Sequence, residues 1–295
     1  MTVGRPVAGI LWMALTGLCF VAVTAIVKHV GDDIPAPQAA FLRYLMGLVF
    51  FLPAIGAVRR AGITARQARL FALRGTLHTV AVACWFYAMT RITIAEVTAM
   101  NYLTPVLVTF GAALLMGEGL PRRRLIAVVV ALLGALLILR PGVRALDPGH
   151  GAMLVTALFF AASYMLAKRL SGEVPALVIV AVLSVTVTIG LAPLAAVAWV
   201  TPGRADLAWL SAVAVFASAG HYAMTRAFAA APLTATQPVT FLQLVWAVIL
   251  GVLLFAEPVD PWVLAGGAVI MGAVLALTWR EARARVTSGR SPPAI

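Results

Sequence analysis

Residues 94–118 read IAEVTAMNYLTPVLVTFGAALLMGE, and this stretch decides the fold. No charge falls between Glu96 and Glu118, which leaves 21 consecutive uncharged positions. A helix of that length crosses a hydrocarbon core about 30 Å thick. At a shift of 139 residues its last five, Leu114-Leu115-Met116-Gly117-Glu118, fall on Leu253-Leu254-Phe255-Ala256-Glu257, and each set closes a long apolar run before a short connector. At a shift of 140, Thr16, Ala22 and Lys28 meet Thr156, Ala162 and Lys168. The two shifts agree within one residue, so the chain contains an internal repeat.

Outward from this stretch, charged residues, glycines and prolines divide the sequence into ten apolar runs. They cover 8–28, 36–58, 70–90, 94–116, 124–140, 151–169, 174–198, 207–230, 234–256 and 261–279. With 63% hydrophobic and 11% charged residues and a mean hydropathy of +1.03, the chain cannot fold around one soluble core. The first run lacks a small-residue cleavage site and nine comparable runs follow it, so it reads as a mature helix and not a secretory signal. Cys19 and Cys84 both lie in apolar runs as small hydrophobic fillers, which suggests neither a disulfide framework nor a metal site. The net charge of +12 does not point to nucleic acid, because the basic residues sit in short connectors.

Alternate connectors and tails carry 16 positive charges, among them Arg59, Arg60, Arg66, Arg69, Arg74 and Arg122 to Arg124. The opposite set carries 5, namely Lys28, Arg91, Arg140, Arg144 and Arg204, and Arg43 lies inside the second run. The positive-inside rule places both termini in the cytoplasm. Five helices per repeat is an odd number, so the second half enters the membrane inverted. The expected fold is therefore an all-α polytopic membrane protein of ten transmembrane helices in two inverted five-helix repeats. Its expected divisions are 1–140, 141–280 and a basic cytoplasmic tail, 281–295. Inverted repeats are a common build of secondary transporters, with the substrate near the midplane at the repeat interface. An intramembrane enzyme would show converging nucleophiles, acids or metal ligands, and a channel a pore motif or charged ring. Neither pattern is present, nor is a phosphate-cradling Gly-rich loop.

Polar and aromatic groups at midplane depth are the functional candidates, because each needs a partner or a watery cavity. They are Thr16 in the first span, His78 and Trp85 in the third, Thr98, Asn101 and Tyr102 in the fourth, Thr156, Ser163 and Tyr164 in the sixth, His221 and Tyr222 in the eighth, and Gln237 and Gln243 in the ninth. The repeat pairs Thr98 with Gln237 and Tyr102 with Phe241, which makes matching i, i+4 sets. It also sets His78 and His221 on one common stripe, a turn apart. Each histidine is either a neutral ring bonded to a nearby carbonyl or a cavity-lining group. The hydroxyls of Thr16, Thr156 and Ser163 can instead bond back to their own helices. Arg43 is open to a structural or a carboxylate-binding role, and Glu118 and Glu257 read as helix-end fasteners. Small-residue stripes at Ala127, Ala131 and Ala135, and at Ala268, Gly272 and Ala276, suit scaffold packing or a homo-oligomer contact.

These features resemble the drug/metabolite transporter superfamily in its EamA-type ten-helix branch. The resemblance rests on the endings at Glu118 and Glu257-Pro258, on Pro105-Val106, on Arg43 after Pro37, and on Ala88-Met89 and Ala227-Phe228. Gly17 follows Thr16, where the family often has a tryptophan-glycine pair. The resemblance implies a multi-pass protein of the inner membrane that exports small metabolites, most like the amino-acid and aromatic amino-acid exporters, and that is no enzyme and needs no cofactor. A drug or nucleotide-sugar type carrier is the alternative within the superfamily, and an enzyme acting on lipid-linked substrates is the alternative outside it. For an amino acid, Thr16, His78, Tyr102, Tyr164, His221 and Gln237 would supply donors and acceptors, with Trp85 and Phe241 as walls.

Overall fold

The computed structural model describes residues 6–31, 33–115, 122–143, 145–171, 173–230, 239–240 and 242–287. Its helices are α1 (Pro6–Val30), α2 (Ala36–Gly47), α3 (Ile55–Arg60), α4 (Ala65–Arg91), α5 (Ile94–Asn101), α6 (Leu103–Leu115), α7 (Arg122–Leu139), α8 (Pro148–Ser171), α9 (Ala176–Val197), α10 (Arg204–Ala230), α11 (Leu242–Phe255) and α12 (Pro261–Thr287). No strand occurs among the described residues. Helices α1, α4, α8, α9, α10 and α12 are long and apolar enough to cross a membrane, and shorter apolar helices occupy the regions of the second, fourth, fifth and ninth runs.

Proline breaks two of the shorter segments. Pro53 has no N–H for the carbonyl of Val49, and the chain tightens there into a 3-10 helix over Leu48–Ala54 before α3 resumes. A 3-10 turn rises about 2.0 Å per residue against about 1.5 Å for α, so the break does not shorten the segment. Pro105 likewise deprives the carbonyl of Asn101, and the fourth run splits at Tyr102 into α5 and α6. At the start of α4, Thr64 and Gln67 form a capping box: the Gln67 N–H donates to Thr64 Oγ1 at 3.2 Å, and the Thr64 N–H to Gln67 Oε1 at 3.0 Å. The helix therefore starts at Ala65, five residues before the expected boundary.

Packing follows the repeat. With α1 matched to α8, α2 to α9, α4 to α10, α5–α6 to α11 and α7 to α12, the contact of α1 with α10 mirrors that of α8 with α4. The contact of α4 with α9 mirrors that of α10 with α2, and α6 with α8 mirrors α11 with α1. Counterparts α2–α9, α5–α11 and α7–α12 pack on one another, so the halves interlock.

Glycine allows the closest crossings. A Cβ on Gly75 of α4 would lie 2.5 Å from Thr186 Oγ1 of α9, and one on Gly190 of α9 would lie 2.5 Å from Thr79 Oγ1 of α4. Gly134 and Gly266 bring α7 and α12 together in the same reciprocal way. Of the two alanine stripes, Ala127, Ala131 and Ala135 are buried, whereas Ala268, Gly272 and Ala276 lie on the outer face of α12. Gly266 and Gly267, on another face of α12, make the helix contact.

Candidate functional site

On α4, Arg74, His78 and Trp85 recur at helical spacing and share one face. Phe160, Ser163 and Tyr164 of α8 pack around it. His78 Nδ1 and Ser163 Oγ share a hydrogen bond of 3.1 Å, and the imidazole lies 4.9 Å from the Phe160 ring. Phe160 and Tyr164 stack with centroids 5.7 Å apart and planes 6° apart, and Trp85 meets Phe160 edge-on at 6.0 Å. His78 and Ser163 are buried. Tyr164, by contrast, is 43% exposed although it continues the face of α8 on which Met153, Ala157 and Phe160 are buried. His221 on α10 is exposed in the same way, on the face where Leu210, Ala214 and Ala217 are buried. Exposure on an otherwise buried helix face marks the wall of an internal cavity.

His221 Nδ1–H donates to the carbonyl of Ala217 at 2.7 Å, which in a neutral ring leaves the lone pair on Nε2. The ring meets Phe20 of α1 edge-on at 5.1 Å. At a shift of 140, Phe20 is the counterpart of Phe160. Each histidine thus meets a phenylalanine of the other half, and the two phenylalanines are repeat counterparts, with the histidines a turn apart in register. From α2, the Arg43 guanidinium lies 4.0 Å over the ring of Tyr44. Helix α2, which carries Arg43 and Tyr44, packs against α4 and α10, and α4 packs against α8. Helices α2, α4, α8 and α10 therefore converge on one polar region, with members from both repeats.

Arg74 is the residue that sequence reasoning misplaced. Counted among connector charges, it is the tenth residue of α4 and only 5% exposed. Its NH1 donates to the carbonyl of Ile179 on α9 at 3.1 Å, and its buried Nε has no hydrogen-bond partner. The Thr64-x-x-Gln67 capping signal, had it set the start of α4, would have moved Arg74 inside the span. Phe160, at the centre of the aromatic group, was passed over because it carries no polar atom.

Other expected site residues that the structure describes make their bonds with the backbone. Thr16 is buried and its Oγ1 donates to the carbonyl of Trp12 at 2.9 Å, within its own helix. Tyr102 is also buried, and its hydroxyl donates to the carbonyl of Thr240 at 3.0 Å, so it bridges the fourth and ninth runs. Thr156 Oγ1 donates to the carbonyl of Ala81 at 3.2 Å and links α8 to α4. Gln237, Phe241 and Glu118 lie outside the described residues. Glu257 is a fastener: it pairs with Lys28 Nζ at 2.7 Å and accepts the Ile94 N–H at the start of α5 at 3.0 Å. Lys28 Nζ also donates to the carbonyl of Ile92 at 2.8 Å. The same end of the bundle holds ion pairs between Arg140 and Asp260, between Arg91 and Asp147 at 3.0 Å, and a contact of His150 Nε2 with Glu96 at 3.2 Å. At the opposite end Arg66 pairs with Glu173 at 2.9 Å.

The cavity offers hydrogen-bond donors, cations and flat aromatic surfaces, which suit binding of a small polar molecule. Among the described residues no three His, Cys, Asp or Glu side chains gather to hold a metal. An apolar helical bundle of two interlocked repeats, with a polar cavity where they meet, is the build of a membrane carrier for small molecules. The chain matches the EamA-like transporter family twice, over residues 7–140 and 147–279, and it belongs to that family, within the drug/metabolite transporter superfamily. It is a transporter of small metabolites.

Relatives match over nearly the whole chain. The pseudopaline exporter of Pseudomonas aeruginosa is 27% identical over 277 residues, covering 92% of this chain and 96% of its own. The riboflavin transporter of Rhizobium johnstonii is 28% identical, covering 95% and 93%. The S-adenosylmethionine uptake transporter of Rickettsia prowazekii is 22% identical, covering 92% and 93%. A solved crystal structure shares the fold with a TM-score of 0.61 at 19% identity, covering 93% of this chain and 97% of that one.

Proposed function

We propose that the chain exports amino acids or closely related metabolites across the inner membrane by alternating access, as a secondary carrier without a cofactor. The observation that carries this reading is the inward-facing yet exposed pair Tyr164 and His221, on α8 and α10 of the second repeat, which pack against α4 and α1 of the first. His78, Tyr164 and His221 supply polar contacts, and Trp85 and Phe160 wall the cavity. Thr16, Tyr102, Gln237 and Phe241 complete the expected set, with Thr16 and Tyr102 acting through helix packing. The relatives include both exporters and uptake transporters, so direction rests on the sequence pattern.

Ten spans and cytoplasmic termini form part of the same proposal. The tally of basic residues is 16 less Arg74, or 15 against 5, and still favours one side. With that orientation, the end that holds Lys28–Glu257, Arg91–Asp147 and Arg140–Asp260 is periplasmic. Ion pairs gathered at that end support a state closed to the periplasm.

Proteoliposomes holding the purified protein and offered a panel of amino acids test the reading. At least one should move down its gradient, and equally well at zero proton gradient, because the described carboxylates lie at helix ends and form no midplane relay. Movement of none, or complete dependence on a proton gradient, refutes it.

A further inference from the structure

Two arginines on the packed helices α4 and α2, Arg74 and Arg43, have no acid among the described residues to neutralise them. Arg74 is 95% buried by its 5% exposure, yet its one described hydrogen bond goes to a neutral carbonyl and its Nε is unpartnered. Arg43 rests over the Tyr44 ring, and no described carboxylate pairs with it. Acidic residues whose contacts are described are taken up elsewhere: Glu257 by Lys28, Asp260 by Arg140, Asp147 by Arg91, Glu173 by Arg66 and Glu96 by His150 and Thr93. Asp206 accepts a backbone N–H at the start of α10, and Asp33 precedes α2. Desolvated cations of a membrane protein are normally paired or mark a substrate path.

A guanidinium presents five donors in a planar fork that matches a carboxylate, and aromatic contact leaves the fork free to bind. Arg74 stands one turn from His78, and the Phe160–Tyr164 stack lies against His78. A flat body held on that stack would carry its anionic end toward the arginines. Trp85 adds a second buried donor without a partner, Nε1, on the same face of α4.

We infer that Arg43 and Arg74 form an anion-binding pair, and that the substrate bears a carboxylate attached to a flat, apolar body. The inference rests on the transport reading for the word substrate, but the anion site is testable without it. Compounds with the same ring but a neutral or cationic end are rejected, since nothing in the described cavity offers them a negative charge.

Wild type, Arg43→Gln, Arg74→Gln and Arg74→Lys, each in lipid nanodiscs, are compared by thermal unfolding with phenylacetate, phenylacetamide and phenethylamine. Only phenylacetate should raise the wild-type midpoint. Its apparent affinity should fall tenfold or more in both glutamine variants and recover in part with lysine. The unliganded midpoint of Arg74→Gln should hold or rise, because a buried uncompensated cation has been removed. Equal shifts by all three probes, no shift by phenylacetate, or its retention in both glutamine variants overturns the inference. Uptake of the same probes into proteoliposomes separates the two readings. Movement of the amide or the amine but not the anion keeps transport and overturns the anion site. Anion binding that needs Arg74, with no movement of any solute, keeps the site and overturns transport.

Discussion

Glu257→Ala removes the fastener that joins the end of α11 to α1 and α5. Lys28 Nζ loses its partner at 2.7 Å, and the Ile94 N–H at the start of α5 loses its acceptor at 3.0 Å. The side chains are 18% and 9% exposed, so water replaces the contact only partly. Breaking a buried pair costs about 3 to 5 kcal/mol, and the exposure of Lys28 together with its bond to Ile92 draws the figure to the low end, about 3 kcal/mol. If these bonds exist only in the state closed at this end, their loss moves the closed-to-open ratio by about a hundredfold. A single cysteine at Tyr164, in a background without Cys19 and Cys84, reports the shift through labelling by an impermeant maleimide applied from the periplasmic side. Labelling should be slow with Glu257 and at least tenfold faster with Glu257→Ala. Glu257→Gln, which keeps an acceptor for Ile94 but not the charge, should fall between. Unchanged labelling in a folded Glu257→Ala protein would refute the gate.

Four more perturbations follow from packing and charge. His78→Ala leaves Ser163 buried without its partner, at about 1 to 3 kcal/mol, and should cut transport tenfold or more at normal expression, whereas Tyr102→Phe, which loses one hydrogen bond of about 1 kcal/mol, should lower thermal stability more than transport; the reverse ranking in uptake assays would contradict the placement. Gly75→Ala places a Cβ 2.5 Å from Thr186 Oγ1 and should destabilise by about 1 to 3 kcal/mol, with Thr186→Gly restoring the melting temperature. Burial alone would raise the Asp147 carboxyl, but the Gly149 N–H and Arg91 outweigh it and hold it below its usual value. Its contribution is therefore present above the unfolded-state carboxylate value and is lost as pH falls through the lowered folded one, so Asp147→Asn should flatten the acid limb of a melting-temperature profile.

Much of the fold was legible because hydrophobic runs and bilayer thickness are matched quantities. The runs containing Trp12 to Lys28 and Phe71 to Thr90 are helical throughout, and Pro53 and Pro105 mark the sites where the winding changes. Direction around a helix was harder to read than depth. Tyr102 sits at the depth expected, but the break at its own position turns its hydroxyl to Thr240, and no periodicity encodes that turn. Thr16 could satisfy itself within α1 and does so. The histidines were found because imidazole in an apolar run is rare, and their partners Ser163 and Phe20 emerged only from packing. Arg74 was lost to a boundary: a basic residue near the edge of a run reads as a connector charge unless the helix start is fixed independently.

Counterflow tests the central claim most directly, because a carrier with one cavity opened alternately to each side must exchange solute across the membrane. Proteoliposomes are loaded with a high concentration of the unlabelled amino acid that the panel selects and diluted into a trace of the labelled form. The account predicts a transient accumulation of label above its equilibrium level, abolished by His78→Ala. Simple equilibration of label with no overshoot in the wild-type protein would contradict it.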